Sequence, residues 1–242
     1  MTPKLSSRKI GEVNIVEIQG VLAGAGVRKV KEMMKNVLET NSAEGLLFNM
    51  REVEKVDDSG AEAILEVVRK PSKAGIFGHN LSAYFIAEHM TPNEPIPIFE
   101  KASEVIGYFA EEFVRGKQAL PEERRRFSRT VTALPGKFQL EEFGRSFLLE
   151  AAVTNLSEGG LYGYFLDSAT EELAQRILDP FDLKMMKIYL VLGGKVEIET
   201  EGKVLRSGTD FSQSHGLAVE FYNLRSEDEQ EIREFLKGRV RA

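Results

Sequence analysis

The sequence predicts an α/β domain followed by an all-β domain, and three observations lead to this prediction. Apolar, strand-like runs alternate with amphipathic helical patterns over roughly the first 110 residues. The stretch RGKQALPEE, at 115–123, is mostly polar and typical of a linker. Short strand-like runs separated by glycines and polar turns follow it, as in small sandwiches and barrels. We therefore predict domains at residues 1–114 and 124–242, joined by a linker at 115–123.

The elements of the first domain are predicted by changes in the period of the apolar residues. GEVNIVEIQG, at 11–20, is an apolar strand bounded by glycines, and the following segment places Val27, Val30 and Met34 on one helical face. GLLFNM, at 45–50, is a continuous apolar run typical of a strand covered on both faces. VDDSGAEAILEVVRK predicts a turn and a second helix, and KASEVIGYFAEEFV predicts a closing helix.

The second domain is predicted to be mainly strands with two helices. Strand-like runs include TVTALPGKFQL, RSFLLEAAVTNLS, GLYGYFL, MKIYLVLGG, KVEIETEGKVL and LAVEFYNL. A helix near SATEELAQRIL interrupts them, and SEDEQEIREFLKGRV predicts an amphipathic helix at the end of the chain.

Composition excludes several classes of function. The formal net charge of −6 argues against a broad nucleic-acid-binding face, so we predict no DNA partner and only a local anion site. Cysteine is absent, which excludes disulfides and thiolate metal sites. No apolar run approaches the length of a membrane span, and no secretory signal is evident at the N-terminus, so we predict a cytoplasmic protein without membrane insertion.

Signatures of catalysis are missing from the sequence. The histidines lack metal-ligand spacing, and no hydrolase, zinc-protease or Walker motif is present. We therefore predict that the protein is not an enzyme and has no cofactor, while a hydrolase of unrecognised type stays open as an alternative.

Ser59 begins the second predicted helix and has two interpretations. Ser59 and Glu62 have the S-x-x-E spacing of a capping box, which predicts a structural role. Alternatively, Ser59 is a phosphorylation site at a helix N-terminus, where a phosphate would add charge beside Asp57 and Asp58.

At this motif the first domain resembles the STAS family of anti-sigma-factor antagonists, in which an apolar strand is followed by Asp-Ser-Ser-Gly at the start of a helix. The resemblance covers residues 8–112 and implies a mixed sheet with helices and an unidentified protein partner. Ser59 matches the serine that a partner kinase phosphorylates in that family, and Asp57 matches the motif aspartate. The sequence departs from the family pattern at Asp58, Asn49 and Ala23, where serine, aspartate and aspartate are usual.

Two motifs stand out in the second domain. ERRRFSR, at 123–129, is a basic cluster in an acidic protein, and TNLSEGG contains Asn155, Ser157 and Gly160 at N-x-S-x-x-G spacing. Alone, the first is typical of a solvated surface and the second of an ordinary turn.

Together, in this order, the motifs resemble those of the PilZ family of cyclic di-GMP receptors, over residues 121–242. The family carries R-R-x-x-x-R at the entry to a six-stranded barrel and D/N-x-S-x-x-G later, with a C-terminal helix. The resemblance implies a cyclic di-GMP site at six residues, namely Arg124, Arg125, Arg129, Asn155, Ser157 and Gly160. The helix near 168–178 is an insertion relative to the simplest members, and it either packs on the barrel or forms an oligomer interface in a homodimer.

The chemistry of these residues suits a dianionic guanine dinucleotide. Arginine can form a fork of hydrogen bonds to a phosphate or to the O6/N7 edge of guanine, and it can stack on a purine. Gly160 leaves room for the backbone to approach a nucleotide, and we expect Phe127 to be a core anchor. Cyclic di-GMP bound beside the linker would reorient the first domain. The alternatives are a degenerate PilZ domain that binds only protein, and a phospho-switch at Ser59 in a sigma-factor pathway.

Overall fold

The computed structural model describes residues 3–40, 44–69, 71–90, 96–115, 127, 129–142, 144–178, 184–209 and 215–240. The chain divides into two compact units, Met1–Glu112 and Phe113–Ala242, which are considered separately below. Most of the predicted linker, 116–123, lies outside the described residues. None of the helices in the described part of the chain is long and apolar enough to cross a membrane.

The first unit is built on a mixed five-stranded sheet in the order β1-β2-β3-β4-β5. Its strands are β1 (Lys4–Ile10), β2 (Val13–Leu22), β3 (Gly45–Val56), β4 (Lys73–Phe77) and β5 (Ile98–Phe99). β1 and β2 are antiparallel, and the other neighbouring pairs are parallel. The first six residues of β3 are all buried, which confirms that the apolar run at 45–50 is a strand covered on both faces.

Within the described residues, the first unit also has four helices, α1 (Ala25–Thr40), α2 (Asp58–Val68), α3 (Leu81–Glu88) and α4 (Ala102–Tyr108), and a fifth, α5 (Ala110–Val114), runs across the division between the two units. Val27, Val30 and Met34 on α1 are at most 5% exposed, so the predicted apolar face of this helix is the buried one. They share a core with Ile64 on α2 and with the buried strands. The predicted α/β fold is confirmed.

The second unit is a closed antiparallel barrel with the strand order β10-β11-β8-β7-β6-β9. Its strands are β6 (Thr130–Glu142), β7 (Arg145–Ser157), β8 (Gly160–Phe165), β9 (Met185–Leu192), β10 (Val196–Thr209) and β11 (His215–Tyr222). The predicted six-stranded barrel is therefore confirmed. The strand pairing shifts between Val153 and Asn155 on β7, and between Val204 and Arg206 on β10. Such bulges change which residues face outward.

The part of the second unit that the structure describes also contains the helices α6 (Ser168–Ile177) and α7 (Ser226–Val240). The side chain of Asp167 caps α6 by accepting a hydrogen bond from the Thr170 amide at 2.7 Å. Ala174 on α6 and Leu178 just after it are buried in the barrel's core cluster, as is Ile232 on α7. The inserted helix α6 thus packs on the barrel.

Candidate functional site

A two-residue turn between β7 and β8 holds the second motif in place. β7 ends at Ser157, which pairs directly with Gly160 at the start of β8. The Ser157 hydroxyl donates a hydrogen bond to the Gly160 carbonyl at 3.0 Å. The Phe221 amide donates to the Gly159 carbonyl at 3.0 Å, which ties the turn to the adjoining β11. The motif serine Ser157 therefore also stabilises the turn through its hydroxyl.

Two strands approach each other so closely at Gly160 that only glycine fits at this position. A Cβ atom added to this residue would lie 2.2 Å from the Val219 carbonyl oxygen on β11. No side chain fits at that distance, so the motif glycine allows the backbones of β8 and β11 to pack closely beside the turn.

The bulge on β7 turns the polar residues of the motif away from the barrel core. Beyond the pairing shift, Leu156 is fully buried in the core, so its neighbours Asn155 and Ser157 face the opposite side of the strand. Asn155 is half-buried and pairs with Val131 on β6 and Tyr162 on β8. The bulge thus directs both motif side chains to the outer side of the strand, where Asn155 is half-buried and Ser157 is buried.

A cavity of about 230 Å³ lies on this surface beside the turn. Three of the residues predicted for the ligand site line it, namely Arg129, Ser157 and Gly160. Asn155 lies two residues before Ser157 on β7 but is not part of the lining. Arg124 and Arg125 lie outside the described residues. The first and second motifs, separate in sequence, therefore meet at one cavity through Arg129.

Other lining residues were not expected from the sequence. Leu205, 48% exposed, sits at the β10 bulge, and Glu220 lies on β11 directly opposite Gly160. Leu161, Ala218, Val219 and Gly159 also line it, as does Phe127. The alternation in GLAVEF does place Glu220 on the outer face, but the register of β11 against β8 is a property of the folded barrel alone.

Phe127 is not the core anchor that the sequence predicts. Its side chain is 36% exposed and lines the cavity. A Cβ atom added to Gly159 would lie 2.6 Å from its ring, so the ring rests directly on the turn. A hydrophobic side chain within an arginine cluster suggested core packing, whereas here the bare backbone of Gly159 provides the contact surface.

Charged and aromatic side chains surround the turn and the adjoining outer surface. Arg233 on α7 donates hydrogen bonds to Glu158, the acidic residue of the turn, and these bonds raise the pKa of Arg233 above its ordinary value. Arg206 on β10 lies over the ring of Tyr162, with its guanidinium carbon 5.6 Å from the ring centroid. Cations therefore flank the hairpin that carries the second motif.

In the first unit, the predicted capping role of Ser59 is wrong. The N-cap of α2 is Asp57, whose Oδ1 accepts from the Gly60 amide at 2.9 Å. Ser59 is instead the second residue of the helix, and its hydroxyl donates to Asp57 Oδ1 at 2.7 Å. Aspartate and serine are both good caps, and the extended backbone at Asp57 decides between them.

Asp57 also joins the helix to the turn after β2. Its Oδ2 accepts from the Gly24 amide at 2.9 Å. Hydrogen bonds from the Ser59 hydroxyl, and then from the Gly60 and Gly24 amides, lower the pKa of Asp57 below 3.8. Ser59 itself is exposed. Within the described residues, no group of histidine, aspartate and glutamate could hold a metal ion.

Comparison with known proteins finds one matching family model within each unit. Residues 4–77 match the family model of the STAS domain, and residues 123–238 match that of the PilZ domain. Among curated proteins, none matches the sequence.

Solved structures similar to parts of the chain include the Bacillus subtilis inhibitor of motility MotI/DgrA, at 21% identity over 50% of this chain and 57% of that one, with a TM-score of 0.39. Escherichia coli YcgR in complex with c-di-GMP matches at 16% identity over 49% and 46%, with a TM-score of 0.38. A Mycobacterium paratuberculosis anti-sigma factor antagonist matches at 11% identity over 43% and 92%, with a TM-score of 0.39. The chain spans about half the length of the first two proteins.

Proposed function

The chain carries a STAS domain followed by a PilZ domain, and we propose on that basis that it is a receptor for cyclic di-GMP. The observation that carries this proposal is the meeting of Arg129, Ser157 and Gly160 at one cavity. These residues belong to two motifs about 30 residues apart, and their spacing resembles that of PilZ cyclic di-GMP receptors. The proposed role is binding and regulation, without catalysis.

The chemistry of the cavity supports a nucleotide as the ligand. Arg129 supplies a permanent cation that can fork onto a phosphate or onto a guanine edge. Phe127 and Leu205 supply apolar surface for a flat heterocycle. Gly160 lines the cavity with backbone alone, since this residue has no side chain to cover it. A dianionic dinucleotide with two purines can use all three features.

We assign the remaining arginines by their place in the motif. Arg125 and Arg129 have the R-x-x-x-R spacing, and Arg124 precedes them as a further cation. A hydrogen bond to a charged group contributes about 1.5–3 kcal/mol, so each lost arginine contact should weaken binding about 10- to 150-fold. Asn155, just outside the cavity lining, would contact a ligand that extends along β7.

Isothermal calorimetry with cyclic di-GMP tests the binding step. We expect the full chain to bind at micromolar ligand or tighter, and the double variant Arg125→Ala/Arg129→Ala to bind at least 100-fold more weakly. Arg145→Ala is the matched control, because Arg145 is an exposed arginine at the far end of β7. Absence of binding to the wild-type protein would overturn the proposal and leave the degenerate, protein-binding PilZ domain as the better description.

We further propose that binding at the PilZ domain is transmitted to the STAS domain, which contacts a protein partner. The supporting observation is that the arginine motif, at 124–129, immediately follows the predicted linker at 115–123. Transmission requires the ligand to bind one arrangement of the domains more tightly than another. Small-angle scattering of the full chain with and without cyclic di-GMP tests this step, and identical profiles under saturating ligand would refute it.

A phospho-switch at Ser59 is a second candidate function, favoured by the exposure of this serine at the start of α2. A phosphate there would be stabilised by the helix N-terminus and would be repelled by Asp57 and Asp58. Phosphate mapping by mass spectrometry after expression in a native host tests it. A phosphoserine at residue 59 would support this function, and its absence under all growth conditions would count against it.

A further inference from the structure

We propose that Glu220 is the residue that makes the cavity specific for guanine. This inference rests on the proposed function, because it concerns which base of a cyclic dinucleotide the same site accepts. In this role the carboxylate of Glu220 accepts hydrogen bonds from the N1–H and the exocyclic amine of a guanine that enters the cavity.

The position of Glu220 suits this role. On β11 it pairs with Gly160 on β8 and with Lys203 on β10, so it lies between the motif turn and the bulged strand. It is exposed, and it is the one carboxylate among the residues that the structure describes as lining the cavity. A carboxylate within a cavity that also contains Arg129 needs an explanation, because its negative charge would lower the affinity of a site that binds only a phosphate group.

Apolar surface on either side of Glu220 fits a flat base. Leu205 lies on one neighbouring strand, at the β10 bulge, and Phe127 rests on Gly159 in the turn before the other neighbouring strand. Adjacent strands are about 4.8 Å apart, so roughly 10 Å separates β10 from β8, with β11 between them. A purine placed there would contact hydrocarbon on its faces and the carboxylate at its edge.

The donor pattern of the base decides which purine is accepted. Guanine presents two donors, N1–H and N2–H, on its Watson–Crick edge, and a carboxylate is an acceptor with two oxygens. Adenine presents the N1 lone pair there, which would face a negative oxygen without a proton between them. A site built for donors rejects an analogue that lacks them, because its polar group then loses its partners. Glu220 should therefore favour guanine over adenine.

Two hypotheses about Glu220 predict opposite effects on ligand affinity when its charge is removed. If the carboxylate were only a solvated group near an anion site, Glu220→Gln would remove a repulsive charge and strengthen the binding of every cyclic dinucleotide. If it accepts two hydrogen bonds from guanine, the same change should weaken the binding of cyclic di-GMP. A bidentate contact to a base discriminates by about 1–3 kcal/mol, which corresponds to roughly 5- to 150-fold.

Calorimetry on the full chain with three ligands tests the inference. The ligands are cyclic di-GMP, cyclic di-AMP and the inosine analogue cyclic di-IMP, which keeps N1–H but lacks the exocyclic amine. The variants are Glu220→Gln and, as the matched control, Glu197→Gln. The control removes the same charge from an exposed position on β10 that is not part of the cavity lining.

We expect wild type and Glu197→Gln to bind cyclic di-GMP at least fivefold more tightly than cyclic di-IMP and to prefer both over cyclic di-AMP. We expect Glu220→Gln to bind cyclic di-GMP more weakly and to lose most of this discrimination. Unchanged or tighter binding of cyclic di-GMP by Glu220→Gln would overturn the inference and leave the receptor function intact. Failure of the wild-type protein to bind cyclic di-GMP would overturn both.

Discussion

The guanidinium group of Arg233 on α7 lies against the carboxylate of Glu158 in the β7–β8 turn, with Nη2 of the arginine 3.1 Å from Oε2 of the glutamate. The same Nη2 also donates to Glu229 one helical turn earlier, at 2.8 Å. The C-terminal helix is thereby connected to the turn between Ser157 and Gly160. A negative charge in that turn would oppose an anionic ligand, and Arg233 balances it.

We predict that Arg233→Ala weakens the binding of cyclic di-GMP by less than about fivefold, because the pair is exposed. The effect should be larger at low ionic strength, where exposed charges are least screened. Calorimetry at two salt concentrations measures it. Adding Glu158→Gln should restore most of the lost affinity, whereas Arg225→Ala, which breaks an ion pair between the residue before α7 and Asp228 in its first turn, should change it little.

Gly159→Ala should reduce ligand affinity while leaving the stability of the barrel almost unchanged. The new methyl group would lie 2.6 Å from the ring of Phe127, and an exposed side chain can swing away at little cost. The cavity would then lose one apolar wall. We expect an affinity similar to that of Phe127→Ala, with melting temperatures close to wild type. A large drop in melting temperature would contradict the view that this contact serves the site.

Gly160→Ala should destabilise the barrel as well as abolish binding, because the new methyl group would clash with backbone atoms, which cannot move aside as a side chain can. The methyl group would lie 2.2 Å from the Val219 carbonyl oxygen, so β8 and β11 would have to separate. Overpacking of this kind typically costs about 1–3 kcal/mol. Urea denaturation followed by circular dichroism measures it. Gly208→Ala on β10 is the matched control, because nothing lies within 4 Å of its added methyl group.

The cap of α2 distinguishes Asp57, which is the N-cap in the structure, from Glu62, which the sequence predicts to be part of a capping box. Asp57→Ala should lower the free energy of unfolding of the first unit by about 1–2 kcal/mol, and Glu62→Ala should change it by less than about 0.5 kcal/mol. Because the pKa of Asp57 is lowered, its contribution is present above pH 3.8 and is lost as the pH falls through the folded-state pKa. Denaturation at pH 7 and pH 3 would check both points.

His215 gives the barrel a predicted sensitivity to mild acid. Its ring is buried, with Nε2 2.7 Å from the Ser207 hydroxyl oxygen, and burial lowers its pKa below 6.5. As the pH falls below about 6.5, the unfolded chain gains a proton that the folded barrel resists, so stability decreases by at most about 1.4 kcal/mol per pH unit. His215→Gln should flatten the stability profile between pH 6.5 and 5 in calorimetric scans. An unchanged profile would exclude His215 as its cause.

The sequence predicted the fold well where periodicity carries the information. The helical face of Val27, Val30 and Met34 and the apolar run at 45–50 are buried as expected. The order of the barrel strands could not be predicted from periodicity, because alternation shows which residues share a face but does not show which strands are neighbours. That order is seen only in the folded barrel.

The sequence could not predict every residue of the site, because some of them reach the cavity only through the register in which neighbouring strands pair. Arg129, Ser157 and Gly160 belong to recognisable motifs, and the structure places all of them at one cavity. Leu205 and Glu220 carry no motif, and they reach the cavity only because of a bulge on β10 and the pairing of β11 with β8. The S-x-x-E spacing predicts Ser59 as the cap of α2, but aspartate is an equally good cap, and only the backbone geometry shows that Asp57 has this role.

Closure of the barrel has a consequence for how the protein can be recognised. Its six strands are all paired on both sides, so the barrel has no edge to which a foreign strand could add. Among the strands that the structure describes, edges occur only in the five-stranded sheet, at β1 and at the two-residue β5. Of the described strands, only those of the first unit therefore offer an edge for β-augmentation, and β1 is the longer template for it.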